Sequence, residues 1–414
     1  MSQKTVVIIA NLDTRGYEFK FVKDLIQSRG HRAMILDFSM EAVPFFAGDI
    51  TCEEVARRGG PLSIEEVRDY YKKERKVATD TMIAGAVAIV QEMLAKGELH
   101  GVLGVGGGTA SLVATSVMRK LPFGLPKLMA SSMAAHPAYV SDYVGTRDLT
   151  MHHTVVDVVE MNPLLRTQVV NAVGAICGMV EMTEGHGLKI DKPMVGISSF
   201  GFAERCVQPA IMMLRERGFE PIPCHAQGKG DRAMDELIRD GMFAGVLDVV
   251  TRGVGEQLFG GNCAAGNDRI LAASDAGIPQ VISTSGLDML SYGNRKDGGE
   301  YYKGRKMAVI DELRLEVRTT PEEMVAIARV MAERLNVAKA PARVLIPMKG
   351  WSSLSVPGRQ LYDPEADAAF TAELKNRLKP EVVVKELDLA LNTPEFARVA
   401  VEELDELFKL KQEP

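Results

Sequence analysis

Apolar and polar positions alternate along this chain in blocks. Thr5 to Ala10 (TVVIIA) is an unbroken β-branched run, the mark of a strand covered on both faces, as strands are in a parallel sheet. A polar turn, Asn11-Leu12-Asp13-Thr14-Arg15-Gly16, follows, and Tyr17 to Ser28 then carries apolar residues at helical spacing up to Gly30. Strand, turn and helix predict a first βα unit. Ala33 to Leu36 is the next strand, ending at Asp37. Between about 41 and 78 the alternation breaks: Pro44, Gly48 and Gly59-Gly60-Pro61 precede a charged helix from Ser63 (SIEEVRDYYKKERK), which reads as an insertion or lid. A helix over Asp80 to Lys96 leads to the strand Gly101-Val102-Leu103-Gly104-Val105 and the glycines after it, and Leu112 to Met118 is again helical. Lys127 to Ala130 is a strand ending at Ser131-Ser132. Leu149 to Val156 is another, in which His152 and His153 point to opposite faces and share no metal. A helix from Asn162-Pro163 to about Thr183 closes this half.

The polar, glycine-bearing segment 186–193 is the best linker in the chain. Beyond it the same alternation restarts. Strands are expected at Met194 to Ser198, Glu220 to Cys224, Gly245 to Val250, Gln280 to Ser283, Arg343 to Ile346 and Val382 to Glu386, with helices between them. The pattern predicts an α/β protein of two Rossmann-like, doubly wound domains with mainly parallel sheets. The first spans 1–185, with the insertion at about 41–78, and the second spans 194–414.

The length of 414 residues agrees with two domains. The composition, 46% hydrophobic and 25% charged, is that of an ordinary globule, and a net charge of −6 argues against nucleic acid as the main partner. The N-terminus enters a strand without a leader, and no apolar run approaches the ~18 residues that a bilayer span needs, so no membrane partner and a cytoplasmic location are expected. The five cysteines, odd in number and without C-x-x-C spacing, signal neither a disulfide framework nor a zinc site.

The chemistry concentrates at strand ends, where such folds bind ligands. In Gly106-Gly107-Gly108-Thr109 the chain passes from strand to helix, so several backbone N–H groups can face one phosphate or carboxylate, with Thr109 as a cap and donor. The alternative is a tight strand-to-helix turn. No Lys follows these glycines and no G-x-G-x-x-G is formed, so the stretch is a binding cradle rather than a Walker A loop. Asp13, Thr14 and Arg15 end the first strand, Arg15 being a bidentate phosphate partner or a solvated charge. Asp37 stands where a doubly wound fold often grips ribose hydroxyls, and Ser131 and Ser132 add hydroxyls at a third strand end. No dedicated metal cage is visible, although Asp13 and Asp142 could hold Mg²⁺ beside a phosphate. In the second half, His225, Arg252 and Cys206 are the catalytic candidates. His225 adjoins a glycine-rich loop, Arg252 ends a strand, and Cys206 lies in the first turns of a helix, whose dipole lowers a thiol pKa, unless it is simply buried.

The motifs NLDTRGYE, GVLGVGGGTAS, SDYVGTRDLTMHHTVVD, GDRAMDELI, GIPQVISTSGLDML, RTTPEE and PMKGWSSLSVPG occur in that order over nearly the whole chain. Together they resemble the nucleotide-binding N-terminal portion of the tomato mosaic virus resistance protein family, with its uncharacterised bacterial and fungal relatives. The resemblance implies two Rossmann-like domains, ATP binding at Asp13, Thr14, Arg15 and Gly106 to Thr109, and self-association at least to a dimer. This chain departs from the pattern in its second half, at Gln227, at Val249 to Gly253 and at Lys306 to Glu312, so a different second-domain ligand is expected.

The leading expectation is binding of ATP, with Mg²⁺ if required, or of a related phosphorylated ligand. One alternative is a lyase or hydrolase acting on a small carboxylate or phosphorylated acid in an interdomain cleft. The other is a metabolite-sensing module without chemistry.

Overall fold

The computed structural model describes residues 2–293 and 302–412; residues 294–301 and 413–414, which fall in the second expected domain, lie outside the described ones. The chain separates into two compact units, Met1–Lys189 and Ile190–Pro414.

Unit 1 runs β1 (Thr5–Ala10), α1 (Leu12–Ser28), β2 (Arg32–Asp37), α2 (Cys52–Gly59), α3 (Ile64–Lys73), α4 (Arg75–Ala95), β3 (Gly101–Gly106), α5 (Gly108–Met118), β4 (Lys127–Ser131), α6 (Val140–Val144), β5 (Thr150–His153) and α7 (Pro163–Met182). Its five strands are parallel, in the order β2-β1-β3-β4-β5. The uninterrupted apolar run of β1 is explained by the layers on either side. Val6 and Ile8 pack with Phe19, Val22 and Ile26 of α1 and Val169 and Ile176 of α7, while Val7 and Ile9 pack with the group around α4 and α5.

Two local expectations are corrected. Helix α1 begins at Leu12, directly after the strand, and not at Tyr17; the polar turn is its first turn, broken at Arg15 (φ −136°, ψ 31°). Strand β5 is limited to Thr150–His153. The segment 41–78, expected as an insertion or lid, carries α2 and α3 and runs into α4, and Val55 of α2 and Val67 of α3 are fully buried against α4. In addition, α4 and α7 are long and apolar enough, averaged along their length, to cross a bilayer, although no uninterrupted apolar run exists in the sequence. Here one face of each lies in the core of unit 1: Met82, Ala86 and Val90 of α4, and Leu165, Ala172 and Val180 of α7, are fully buried.

Unit 2 runs β6 (Met194–Ser199), α8 (Glu204–Glu216), β7 (Glu220–His225), α9 (Lys229–Arg239), β8 (Gly245–Val250), α10 (Gly253–Phe259), α11 (Leu271–Asp275), β9 (Gln280–Ser285), β10 (Met289–Gly293), β11 (Met307–Val309), β12 (Arg314–Arg318), α12 (Pro321–Leu335), β13 (Ala342–Pro347), α13 (Pro364–Arg377), β14 (Val383–Leu387) and α14 (Pro394–Gln412). Six parallel strands stand in the order β14-β13-β9-β8-β6-β7. Val195, Leu247 and Leu345 face α8 and α14, and Ile282, Val344 and Ile346 face α12 and α13. Both units are therefore Rossmann-like, with helices on both faces of a parallel sheet. The antiparallel ribbon β10-β12-β11 has no counterpart in the expected elements.

Candidate functional site

In unit 1 the chain leaves β1 towards β2 on one side, and leaves β3 towards β4 on the other. The carboxyl ends of β1 and β3 are thus the point where the winding reverses. A cleft of about 250 Å³ opens there. Asn11, Asp13, Thr14 and Arg15 line it from the β1 side and Gly106 to Ala110 from the β3 side. Phe38, Met40 and Glu41, which follow β2, and Tyr71 of α3 form the remaining wall.

Two helices begin at this cleft, and their first N–H groups meet different fates. At α1 they are taken within the chain: Leu12 N–H donates to Asp37 Oδ1 (3.2 Å), Asp13 N–H to Ser39 Oγ (2.9 Å), and the N–H groups of Thr14 and Arg15 to the Asn11 carbonyl (3.3 and 3.1 Å). At α5 the N-cap is Gly107, and no side chain caps the helix. The residues that carry its first amides, Gly107, Gly108 and Thr109, line the cleft instead. An uncapped helix start with backbone donors and a positive dipole end is suited to an anion. Gly106 makes the turn possible: its φ is 156°, and a Cβ there would stand 2.5 Å from the Cβ of Ala110. Gly108, in contrast, has nothing within 4 Å of where a Cβ would be.

The carboxylates nearby are mostly structural. Asp13 Oδ2 accepts from the N–H groups of Glu41 (2.9 Å) and Ala42 (3.2 Å), which fastens the segment after β2 to the cleft. Asp37 is fully buried, and its Oδ1 accepts from Leu12 N–H, Ser39 N–H (3.0 Å) and Ser39 Oγ–H (2.5 Å). Burial pushes its carboxyl above the usual range, against the pull of these hydrogen bonds. Asp37 therefore ties the start of α1 to the segment after β2, while its Oδ2 is buried without a hydrogen-bond partner. Arg15 is half-buried, with Nη1 donating to the Thr14 carbonyl (3.0 Å), and the exposed Thr14 hydroxyl accepts from Asn11 Nδ2. Thr109 occupies the second position of α5 and is exposed, so it is a donor into the cleft and not the cap. Ser131 is buried against Ser111 Oγ (2.6 Å), away from the cleft, whereas Ser132 is half-buried and donates to Asp157 Oδ1 (3.3 Å).

The sequence reading misses Glu41 and Tyr71. The Tyr71 hydroxyl donates to Glu41 Oε2 (3.2 Å), and the Arg75 guanidinium lies 4.4 Å from the centre of the Tyr71 ring. Only the Tyr70-Tyr71 pair inside an otherwise charged helix marks this position in the sequence. A second cavity, of about 470 Å³, lies on the other side of the α5 start; Gly108 and Thr109 line both cavities.

Unit 2 places its three candidates differently. Its winding reverses between β6 and β8, and Arg252 stands there fully buried. Its Nη2 contacts Glu256 Oε1 (2.6 Å) and Glu316 Oε2 (2.8 Å), and its guanidinium lies 4.8 Å from the Phe200 ring centre and 5.5 Å from that of Phe202. Burial works against the charge, but the two glutamates hold its pKa above the ordinary value. Arg252 thus fills the crevice as part of the core. Cys206 is also fully buried, and burial pushes its thiol up to about 12, the reverse of the lowering that the helix dipole suggested. His225 is exposed at the end of β7, with its ring stacked on Phe200 at 5.0 Å. His225 and Arg252 thus share the Phe200 ring as a neighbour, and of the three candidates His225 is the exposed one. Trp351 is buried edge-on to Phe370 (5.1 Å), a packing residue. Among the described residues no cluster of three or more His, Cys, Asp or Glu side chains could hold a metal ion.

Both halves of the chain match family profiles. Residues 4–185 match the N-terminal domain, and residues 192–408 the C-terminal domain, of UPF0261, which is described as an uncharacterised protein family. A UPF0261 protein of Clostridium tetani is 36% identical over 395 residues, covering 95% of this chain and 96% of that protein. A UPF0261 protein of Rhizobium meliloti is 32% identical over 402 residues, covering 96% and 98%. The ToMV resistance protein Tm-1(GCR237) of Solanum lycopersicum is 35% identical over 315 residues, which are 75% of this chain but 42% of the tomato protein.

Proposed function

The chain belongs to the uncharacterised protein family UPF0261 through both of its domains, and we propose that the first domain binds a phosphorylated ligand, ATP foremost, at the carboxyl ends of β1 and β3. The observation that carries this reading is the difference between the two helix starts at the cleft. The amides of α1 are taken by Asp37 and Ser39, while α5 opens on Gly107 without a side-chain cap and lines the cleft. An anionic group seated on Gly107, Gly108 and Thr109 would have the Arg15 guanidinium and the Thr14 hydroxyl across the cleft. Asp13 and Glu41 line the same wall, and a Mg²⁺ carried in on the phosphates would meet oxygen donors there. No lysine lines the cleft among the described residues, so binding without phosphoryl transfer is the function assigned.

The test is thermal unfolding with ATP, ADP and inorganic tripolyphosphate, each with and without Mg²⁺. A ligand present at ~100 times its dissociation constant adds about 2.7 kcal/mol to the folded state. The decisive variant is Gly108→Asp. The new side chain has open space, and a negative charge at the first position of α5 favours the helix by about 0.3–1 kcal/mol. The variant is expected to melt no lower than the parent and to lose the response to all three anions. An unchanged response would place the anion elsewhere, and no response in the parent would remove the reading.

A further inference from the structure

The antiparallel ribbon of unit 2 ends in an open edge. β11 (Met307–Val309) pairs with β12 on one side, and among the described residues no strand borders it on the other. The Lys306 carbonyl accepts from Arg318 N–H (2.9 Å) and Ile310 N–H donates to the Arg314 carbonyl (3.0 Å), so the even positions spend their backbone groups on β12. By the alternation of an antiparallel ladder, the N–H and carbonyl groups of Met307 and Val309 point to the open side. Side chains are left open there too. Met307 packs against the group of Leu290, Tyr292, Tyr302, Leu315 and Val317, but Val309, next on the same face, is 68% exposed. Ile310 at 40% and Leu313 at 79% continue the apolar tip. An edge flanked by exposed apolar side chains is one that proteins otherwise blunt or cover.

We propose that this edge pairs with the same edge of a second copy of the chain, joining the two ribbons into one continuous antiparallel sheet about a two-fold axis. The segment complements itself. Lys303, Arg305 and Lys306 precede β11, and Asp311 and Glu312 follow it, so an antiparallel copy brings unlike charges together where a parallel one would set like against like. Symmetry then selects the register, because a two-fold axis through such a ladder sets one residue opposite its own copy. With the axis at Ala308, Met307 faces Val309 of the second copy and covers it, and each such pair exchanges both backbone hydrogen bonds. Arg305 then faces Asp311 of the second copy. An axis at Met307 or at Val309 would instead set Arg305 against Val309 or Leu313. Arg305 and Asp311 are fixed within each chain by Glu323 and Arg314, so the contact costs little further ordering of side chains. An edge this short belongs among the small interfaces, below roughly 1,200 Å², and the association is accordingly reversible.

Sedimentation velocity over a range of about 1 to 200 μM measures the association of the parent protein and of Val309→Lys. Val309 is exposed, so the lysine leaves the fold intact; unchanged far-UV dichroism and melting of the variant verify this. The parent is expected to pass from monomer to dimer as its concentration rises, and Val309→Lys, which puts a charge on the pairing edge, to weaken the dimer about tenfold or more. The register is read by mixing Met307→Cys with Val309→Cys under mild oxidation, the native cysteines being buried or half-buried. A disulfide between the two different variants is expected in the mixture, with little cross-linking of either variant alone. A monomeric parent overturns the proposal. So does a dimer that Val309→Lys leaves intact, or one in which either cysteine variant cross-links with itself as readily as with the other.

Discussion

Gly59 and Gly85 face each other where α2 crosses α4, close enough that a Cβ on either would stand 3.0 Å from the other's backbone nitrogen. Harder contacts lie beside these, 1.8 Å to the Val55 carbonyl oxygen from Gly85 and 1.9 Å to the Thr81 carbonyl oxygen from Gly59. The two helices therefore meet backbone to backbone. Replacing Gly85 by Ala should destabilise the protein by roughly 1–3 kcal/mol, because overpacking outweighs the better helix propensity of alanine. The control lies on α7, where a Cβ at Gly174 meets nothing within 4 Å. Gly174→Ala should raise stability by about 0.4–1 kcal/mol. Urea midpoints of the two variants should move in opposite directions.

The buried Arg252 leads to a second prediction. It is the shared partner of Glu256 and Glu316, and Glu256 in turn accepts from Ser291 N–H (2.7 Å). Arg252→Ala leaves two buried carboxylates without their cation and should cost about 3–5 kcal/mol. Arg252→Lys should recover only part of it, since one ammonium cannot reproduce a fork that reaches both glutamates. Denaturant unfolding of the three proteins measures this.

A third concerns pH. Asp231, Asp235 and Asp248 surround Arg269, at 3.1, 3.6 and 2.7 Å, and both oxygens of Asp235 lack a hydrogen-bond partner. Burial, with the charge of Asp248 adding to it and Arg269 opposing it, pushes the Asp235 carboxyl up to about 7. Because the folded value lies above the unfolded one, near 3.8, the contribution of Asp235 to stability is full below pH 4 and is lost as pH rises to about 7. Asp235→Asn removes this dependence. Between pH 5 and 8 the parent should lose stability relative to the variant, by on the order of a few kcal/mol; a constant difference between their unfolding free energies across that range would refute the assignment.

The cysteines give a fourth. Cys52, Cys177, Cys206 and Cys263 are buried and Cys224 half-buried, and burial holds all five thiols up, to about 11 or 12. At pH 8 the native protein should react slowly with a disulfide reagent, with Cys224 first, and in guanidinium all five should titrate rapidly. A fast stoichiometric reaction in the native state at Cys206 would restore it as a nucleophile.

Both parallel sheets, most of their strands and the glycine turn at 106–108 were legible in the sequence, because buried parallel strands write themselves as unbroken apolar runs and a strand-to-helix turn as tight as the one at Gly106 needs glycine. Distant pairings were not legible. Nothing local in Asp37 tells that its carboxylate turns back to Leu12 N–H, or in Arg252 that two glutamates, one of them 64 residues away, will close over it. Glu41 and Tyr71 were hidden for the same reason: their place at the cleft is set by the return of the chain after β2 and not by any motif. The ribbon β10-β12-β11 escaped because its strands are short and their pairing is non-local.

The segment between Asp37 and Ile50 is tied down at many points before any ligand arrives. Asp37 N–H donates to the Ile50 carbonyl and Ile50 N–H to the Ile35 carbonyl (both 2.9 Å), Phe45 N–H reaches the Leu12 carbonyl (3.1 Å), and Asp13 holds Glu41 and Ala42. The entropy of ordering this wall is spent in folding, so a ligand does not pay it again on association. Binding should then carry the thermodynamic character of a rigid receptor, with a heat-capacity change no larger than the covered apolar area requires and an arrival rate set by encounter rather than by closure.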